Sequence, residues 1–308
     1  MKFIVNHFWL LLLFPMFSAV SQDQVIRVST ERKEDKSVVF KYQKDAYGSY
    51  YLQLLFDNIA NSRINRWEGT VFGRAGSLLT LTPESPNQNI SFTYRINYMR
   101  GELEPKYIAD FVYMIPYREG ESVFVEEVFH IGEKYFGEEP ESWSSYSFSI
   151  NKRDTVYAPR KGLVVEISED FSQDTTQIFS FRRGENFILV EHEDGTLSRM
   201  MGFEEGGIFV EPGQSVIPRV PIGMVSSYDQ RGISQIRMFV YYLKTISKNT
   251  HPNEPKKLGL SYIDPLFLTN DGADKLVGNS RYQVIVDPEL VVEEFSRREK
   301  RRYEKGKL

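Results

Sequence analysis

Between residues 25 and 286 no stretch of the chain repeats apolar residues with a helical period. Short runs rich in Val, Ile, Phe and Tyr occupy 25–29, 37–42, 50–57, 78–82, 91–98 and 111–117. Turn chemistry cuts them apart at Tyr47-Gly48, Glu68-Gly69, the Pro83 to Asn87 segment and Glu119-Gly120. A helix hides a stripe that recurs every 3.6 residues, whereas a half-buried strand hides every second residue and stops within about eight. This pattern restricts the chain to strands and predicts a mostly β fold. An N-terminal antiparallel β-sandwich is expected over 22–131 and a linker or long loop over the Gly-, Glu- and Ser-rich 132–145. A second antiparallel β domain is expected over 146–288. Only 289–308, beyond Pro288, has helical composition, which predicts a short basic C-terminal helix or tail.

Length allows two domains, each large enough for its own core in a chain of 308 residues. The absence of cysteine excludes a disulfide scaffold, Cys-ligated zinc, iron–sulfur clusters and thiol catalysis. A net charge of −4 argues against nucleic acid as the partner of the whole chain. Residues 1–21 have the form of a secretory signal peptide: Lys2, an apolar stretch from Phe3 to Phe17, then Ser18-Ala19-Val20-Ser21. Cleavage there would leave no integral membrane span and place the protein in the periplasm or another envelope compartment. It would also leave three histidines, His130, His192 and His251, with no two at ligand spacing. His130 alternates with apolar neighbours as a structural histidine does. His192 enters an Asp194-Gly195 turn, and His251 precedes Pro252 in a polar loop. No nucleophile elbow, P-loop or dinucleotide fingerprint is present. The 42 Asp and Glu leave a carboxylate pair for glycan hydrolysis open, with no motif to nominate one.

Three segments of the second half carry a resemblance. Thr155-Val156-Tyr157-Ala158-Pro159-Arg160-Lys161-Gly162-Leu163-Val164-Val165 resembles the "GTPVYAPxDGVV" strand-turn-strand of the LytM or lysostaphin-like peptidoglycan endopeptidases. Asn186 to Thr196 resembles their "N-x-V-x-I-x-H-x-D-G" strand. Val210-Glu211-Pro212-Gly213-Gln214-Ser215-Val216, followed by Pro221-Ile222-Gly223, resembles "V-x-x-G-Q-x-V-x-x-G-x-P-I-G". The order and spacing are those of the family over about 110–285, and the lead-in Tyr113 to Gly120 is similar to one branch of it. The resemblance implies a LytM-like β domain.

Active members of that family hold one zinc with a His, an Asp and the second His of an H-x-H pair, and two further histidines assist. Carried over position by position, the Asp falls on Ser149 and its His partner between Glu141 and Ser145, where no histidine stands. The histidine of the "Y-x-H-L" strand falls on Gly202, and the H-x-H pair on Gln235 and Arg237. The resemblance therefore implies no metal, no cofactor and no catalytic residue. It implies a vacated groove at Ser149, Gly202, Gln235 and Arg237, used by an adaptor or regulator that binds peptidoglycan or a cell-wall enzyme such as an amidase. The alternative is a structural subunit of an outer-membrane or periplasmic protein complex, in which some of the 18 Tyr and 22 Phe serve as interface anchors. The tail adds a second contact candidate. Residues 297–307 carry seven Lys or Arg against two Glu, including Arg297, Arg298, Lys300, Arg301 and Arg302. Such a tail reads either as a solvated terminus or as a contact for an anionic surface, and a tight fold-back on its own body is not expected.

Overall fold

The structure, a computed structural model, describes residues 25–128, 142–169, 171, 185–225, 233–247 and 254–307. The expected signal peptide, His130, His251 and most of the expected linker lie outside the described residues.

Alternation builds the N-terminal unit. In β2 (Val38–Lys44), Val38, Phe40 and Tyr42 point inward while Lys41 and Gln43 face out. With β1 (Ile26–Arg32) and β5 (Ala75–Leu81), β2 forms a three-stranded antiparallel sheet. A second sheet holds β3 (Tyr50–Ala60) between β4 (Arg66–Val71) and β6 (Ser91–Arg100). The sheets face each other across Val38, Phe40, Leu54, Phe56 and Leu81, with the Phe40 and Phe56 rings edge-on at 5.4 Å. This is the expected sandwich, but it ends at Gly101, earlier than expected.

The second unit is larger than its expected bounds. Its main sheet has nine strands. It contains β8 (Ser122–Glu127), β9 (Tyr146–Ile150), β11 (Gly162–Ser168), β12 (Phe187–Glu191), β13 (Leu197–Met201), β15 (Ser215–Val216), β17 (Ser234–Thr245), β18 (Leu258–Ile263) and β21 (Ser280–Gln283). The order is β15-β11-β12-β13-β17-β9-β8-β21, and β18 also pairs with β17. Two small sheets lie over one face. One is β10 (Asp154–Tyr157), β16 (Pro221–Val225) and β14 (Phe203–Ile208). The other is β20 (Gly272–Asp274), β19 (Leu266–Thr269) and β7 (Val112–Tyr113). All three sheets share one core that includes Tyr113, Val125, Phe148, Val156, Ile188, Met200, Phe203, Ile222, Ile236 and Phe267.

Residues 111–127 were expected within the N-terminal unit, but β7 pairs with β19, and β8 pairs with β9 and β21. Local periodicity identifies a strand without identifying its partner. The end of the expected linker is packed structure, with the Trp143 ring 4.6 Å from that of Tyr262. The C-terminal segment is also broken: α1 (Pro288–Val291) stops short of α2 (Arg297–Tyr303). Asp287 caps the first helix, and Ser296 with Glu299 forms a capping box on the second. Among the described residues no helix is long and apolar enough to cross a membrane.

The two units meet at a tight seam. Lys44, almost fully buried, donates to the carbonyls of Gly48 and Phe72 and thereby fixes the turn before β3. The Ser49 N–H donates to Glu191 Oε2 at 2.7 Å. Arg100 pairs with Glu166 at 3.1 Å, and the Gln53 amide bonds in both directions to the Lys256 backbone. Gly48 sits at φ +79°, and a Cβ there would fall 2.3 Å from Glu191 Oε2 and 2.5 Å from Val165. Gly48→Ala should therefore cost about 1–3 kcal/mol and open the seam. Chemical denaturation and limited proteolysis between residues 100 and 110 will measure both effects.

Candidate functional site

The large sheet separates two chemistries by alternation. In β9, Tyr146, Phe148 and Ile150 enter the main core, leaving Ser147 and Ser149 on the opposite face. In β17, Ile236, Met238 and Val240 enter the core, leaving Gln235, Arg237, Phe239 and Tyr241 opposite. Register aligns these outward residues: Gln235 lies across from Ser149, and Arg237 lies across from Ser147 on one side and Met201 on the other. Gly202 follows at the end of β13, with φ +113°, and a Cβ there would stand 2.4 Å from the Gln235 carbonyl oxygen. The structure thus brings Ser149, Gly202, Gln235 and Arg237 together across three adjacent strands.

None of the four is fully exposed. Ser149 is 8% accessible, and the other three are half-buried. The Gln235 amide donates to Ser147 Oγ, and the Arg237 guanidinium pairs with Glu185. Glu185, which immediately precedes the motif beginning at Asn186, was not singled out by the sequence. The neighbouring part of the face is aromatic. Trp143, Phe239, Tyr241 and Tyr262 pack together, and the Arg199 guanidinium lies 3.8 Å over the Phe187 ring.

A zinc does not fit these residues. Zinc takes imidazole, thiolate or carboxylate donors at about 2.0–2.3 Å. The four positions offer a hydroxyl, no side chain, an amide and a permanent cation. Of the carboxylates near them, Glu185 is already engaged by Arg237. Among the described residues no group of three or more His, Cys, Asp or Glu is placed to hold a metal ion. The arrangement can hydrogen-bond a polar ligand, while the Arg237 charge is matched by Glu185.

A second cluster was invisible in the sequence. Arg160, 1% exposed, pairs with Asp194 at 3.0 Å and Glu294 at 2.7 Å, and donates to Tyr113 Oη at 2.9 Å. Its guanidinium lies 3.8 Å over the Phe111 ring. Burial raises the Glu294 carboxyl above its ordinary value, with Arg160 pulling against it. At Asp194 burial pushes up, but Arg160 and the Thr196 hydrogen bond leave the carboxyl below its ordinary value. Beside them His192 is fully enclosed. Nδ1 lies 2.6 Å from the Lys161 carbonyl, so it carries the proton, and Nε2 accepts from Ser198 Oγ at 2.9 Å. Burial, and then the nearby Arg160 charge, push this imidazole down to about 3.

The tail is held through this cluster. Lys161 pairs with Glu299 at 2.9 Å and donates to the Glu294 carbonyl at 2.9 Å. Arg297, Arg298, Lys300, Arg301 and Arg302 are all exposed. The segment does fold back, contrary to the sequence expectation, but its acidic residues make the contact. Counting net charge over 297–307 hides Glu299, and Glu294 lies just before that stretch.

The molecule so described is a mostly antiparallel β protein whose large sheet carries Ser149, Gln235 and Arg237 on one face. No family model matches the chain, and no curated protein matches it in sequence. Solved structures do resemble it. The M23 metalloprotease pseudoalterin, from the deep sea, is 11% identical, with 58% of this chain and 98% of that chain covered and a TM-score of 0.30. A zinc-containing peptidase from Vibrio cholerae is 12% identical, with 70% and 75% covered and a TM-score of 0.28. Helicobacter pylori Csd3 is 10% identical, with 90% and 83% covered and a TM-score of 0.28. These scores describe loose superpositions.

Two outcomes are expected. Gln235→His with Arg237→His should yield no peptidoglycan cleavage in the presence of zinc, and adding Gly202→His should unfold the β13–β14 corner instead of completing a site. Dye release from labelled cell wall and a thermal melt will check this. The second concerns acid. His192 is held neutral with a folded value of about 3 against an ordinary 6.5, so the unfolded chain binds the extra proton between those values. Its contribution to stability is complete above pH 6.5 and is lost as pH falls toward 3, by up to about 1.4 kcal/mol per unit. His192→Asn should be less stable at neutral pH but show a shallower acid decline, read from urea midpoints across pH.

Proposed function

We propose that this chain is a non-catalytic, LytM-like protein of the cell envelope. It acts as an adaptor or regulator, holding peptidoglycan or a wall-cutting enzyme at the face that carries Ser149, Gly202, Gln235 and Arg237. The observation that supports this reading is the juxtaposition of those four positions on β9, β13 and β17, with hydrogen-bonding and cationic groups where the resembling family has metal ligands. Amide and guanidinium donors suit the carbonyl and carboxylate groups of peptide stems or of a protein loop. The expected signal peptide supports an envelope location.

Affinity isolation of the full mature chain from envelope extracts, together with sedimentation on purified cell wall, tests the reading. Capture of an amidase or co-sedimentation with wall is expected. Arg237→Gln combined with Glu185→Gln removes both charges without stranding either, and should weaken that association about tenfold or more while leaving the fold intact. A stoichiometric membrane complex with no wall or amidase association would replace this reading with that of a structural subunit. Tightly bound zinc with wall cleavage would overturn it outright.

A further inference from the structure

We infer that α2 is an electrostatic anchor that lays the protein against an anionic lipid bilayer. The argument begins with which side of the helix is free. Successive residues turn by about 100°, so Glu299 and Tyr303 share one side. That side faces the body: Glu299 pairs with Lys161, and the Tyr303 ring meets the buried Phe295 ring edge-on at 5.5 Å. Arg297 and Arg301 then occupy the centre of the opposite side, with Arg298, Lys300 and Arg302 on its flanks. All five are exposed, and among the described residues none of them forms an ion pair.

Five cations on a seven-residue helix lie within about 10 Å along its axis. Arg297 with Arg301, and Arg298 with Arg302, are like-charged neighbours one turn apart, a spacing that opposes helix formation. The sequence nevertheless supplies a capping box and a fixed attachment to hold this helix in place. The helix is a local cluster of unpaired positive charge on a chain whose net charge is −4. A dense cluster of exposed cations of this kind suits the anionic head groups of a bilayer. A single-stranded nucleic acid would need several stacking rings. Lipid head groups can gather beneath a fixed helix, and the Lys161, Glu294 and Glu299 contacts would set the orientation of the body on the membrane.

The test uses full mature protein and vesicles. It should sediment with phosphatidylglycerol-rich vesicles at low salt, be released as salt rises, and ignore pure phosphatidylcholine. Arg297→Gln with Arg301→Gln should weaken vesicle binding roughly thirtyfold, the product of two single contributions. Both side chains point away from the body, so the thermal melt should be unchanged. If that pair does disturb the fold, Lys305→Gln with Lys307→Gln lies beyond the helix and should also weaken binding. The inference is overturned if phosphatidylglycerol vesicles are not bound at low salt, or if the variants bind like the parent. Preference for a soluble polyanion such as polyphosphate over vesicles overturns it as well, and reassigns the helix to that ligand class.

Discussion

The alternation of side chains along β17 is the constraint on which the rest depends. This strand is 12 residues long and pairs with β9, β13 and β18, so the middle of the large sheet is tied to it. Its even-numbered residues from Ile236 to Val240 fill the core shared by three sheets. Its odd-numbered residues from Gln235 to Tyr241 make the opposite face. A slip of one residue would exchange the two sets and put a guanidinium into the core. Core and candidate site are therefore specified by the same strand, and neither can drift without the other.

Much of the architecture can be read from the chain, because short apolar runs with Gly and Pro punctuation have no stable helical reading. The three motif segments correspond to real elements: 155–165 spans β10, a turn and β11, 186–196 covers β12 and its turn, and 210–223 covers β15 and reaches β16. What stays hidden is partnership across distance. Nothing near Ser122 to Glu127 tells that this strand pairs with β21, more than 150 residues later. Arg160 reads as one more turn residue, yet its carboxylates come from Asp194 and Glu294. The site positions follow from a motif carry-over, whereas Glu185, which neutralises Arg237, has no motif of its own.

Two buried cations show how differently such charges are accommodated. Arg160 sits between two carboxylates and an aromatic face, so its charge is matched as well as hydrogen-bonded. Lys44 has backbone carbonyls as its hydrogen-bond partners, and burial pushes it down to about 8. The first arrangement locks a turn to the C-terminal segment, and the second shapes the turn that meets Glu191. Both are short-range polar contacts that position longer elements, a task that apolar packing performs with less directional control.

Gly202 also bears on how this sequence can change over generations. Its backbone occupies a conformation that side chains resist, and the space beside it is taken by the Gln235 carbonyl. A neighbouring sequence with a histidine there would first have to shift the corner between two strands, passing through forms that fold less well. Such a barrier acts as an evolutionary ratchet. Lineages carrying this backbone can vary the polar groups of the face by substituting Gln235 or Ser149, while descent toward a metal centre requires several coordinated changes at once.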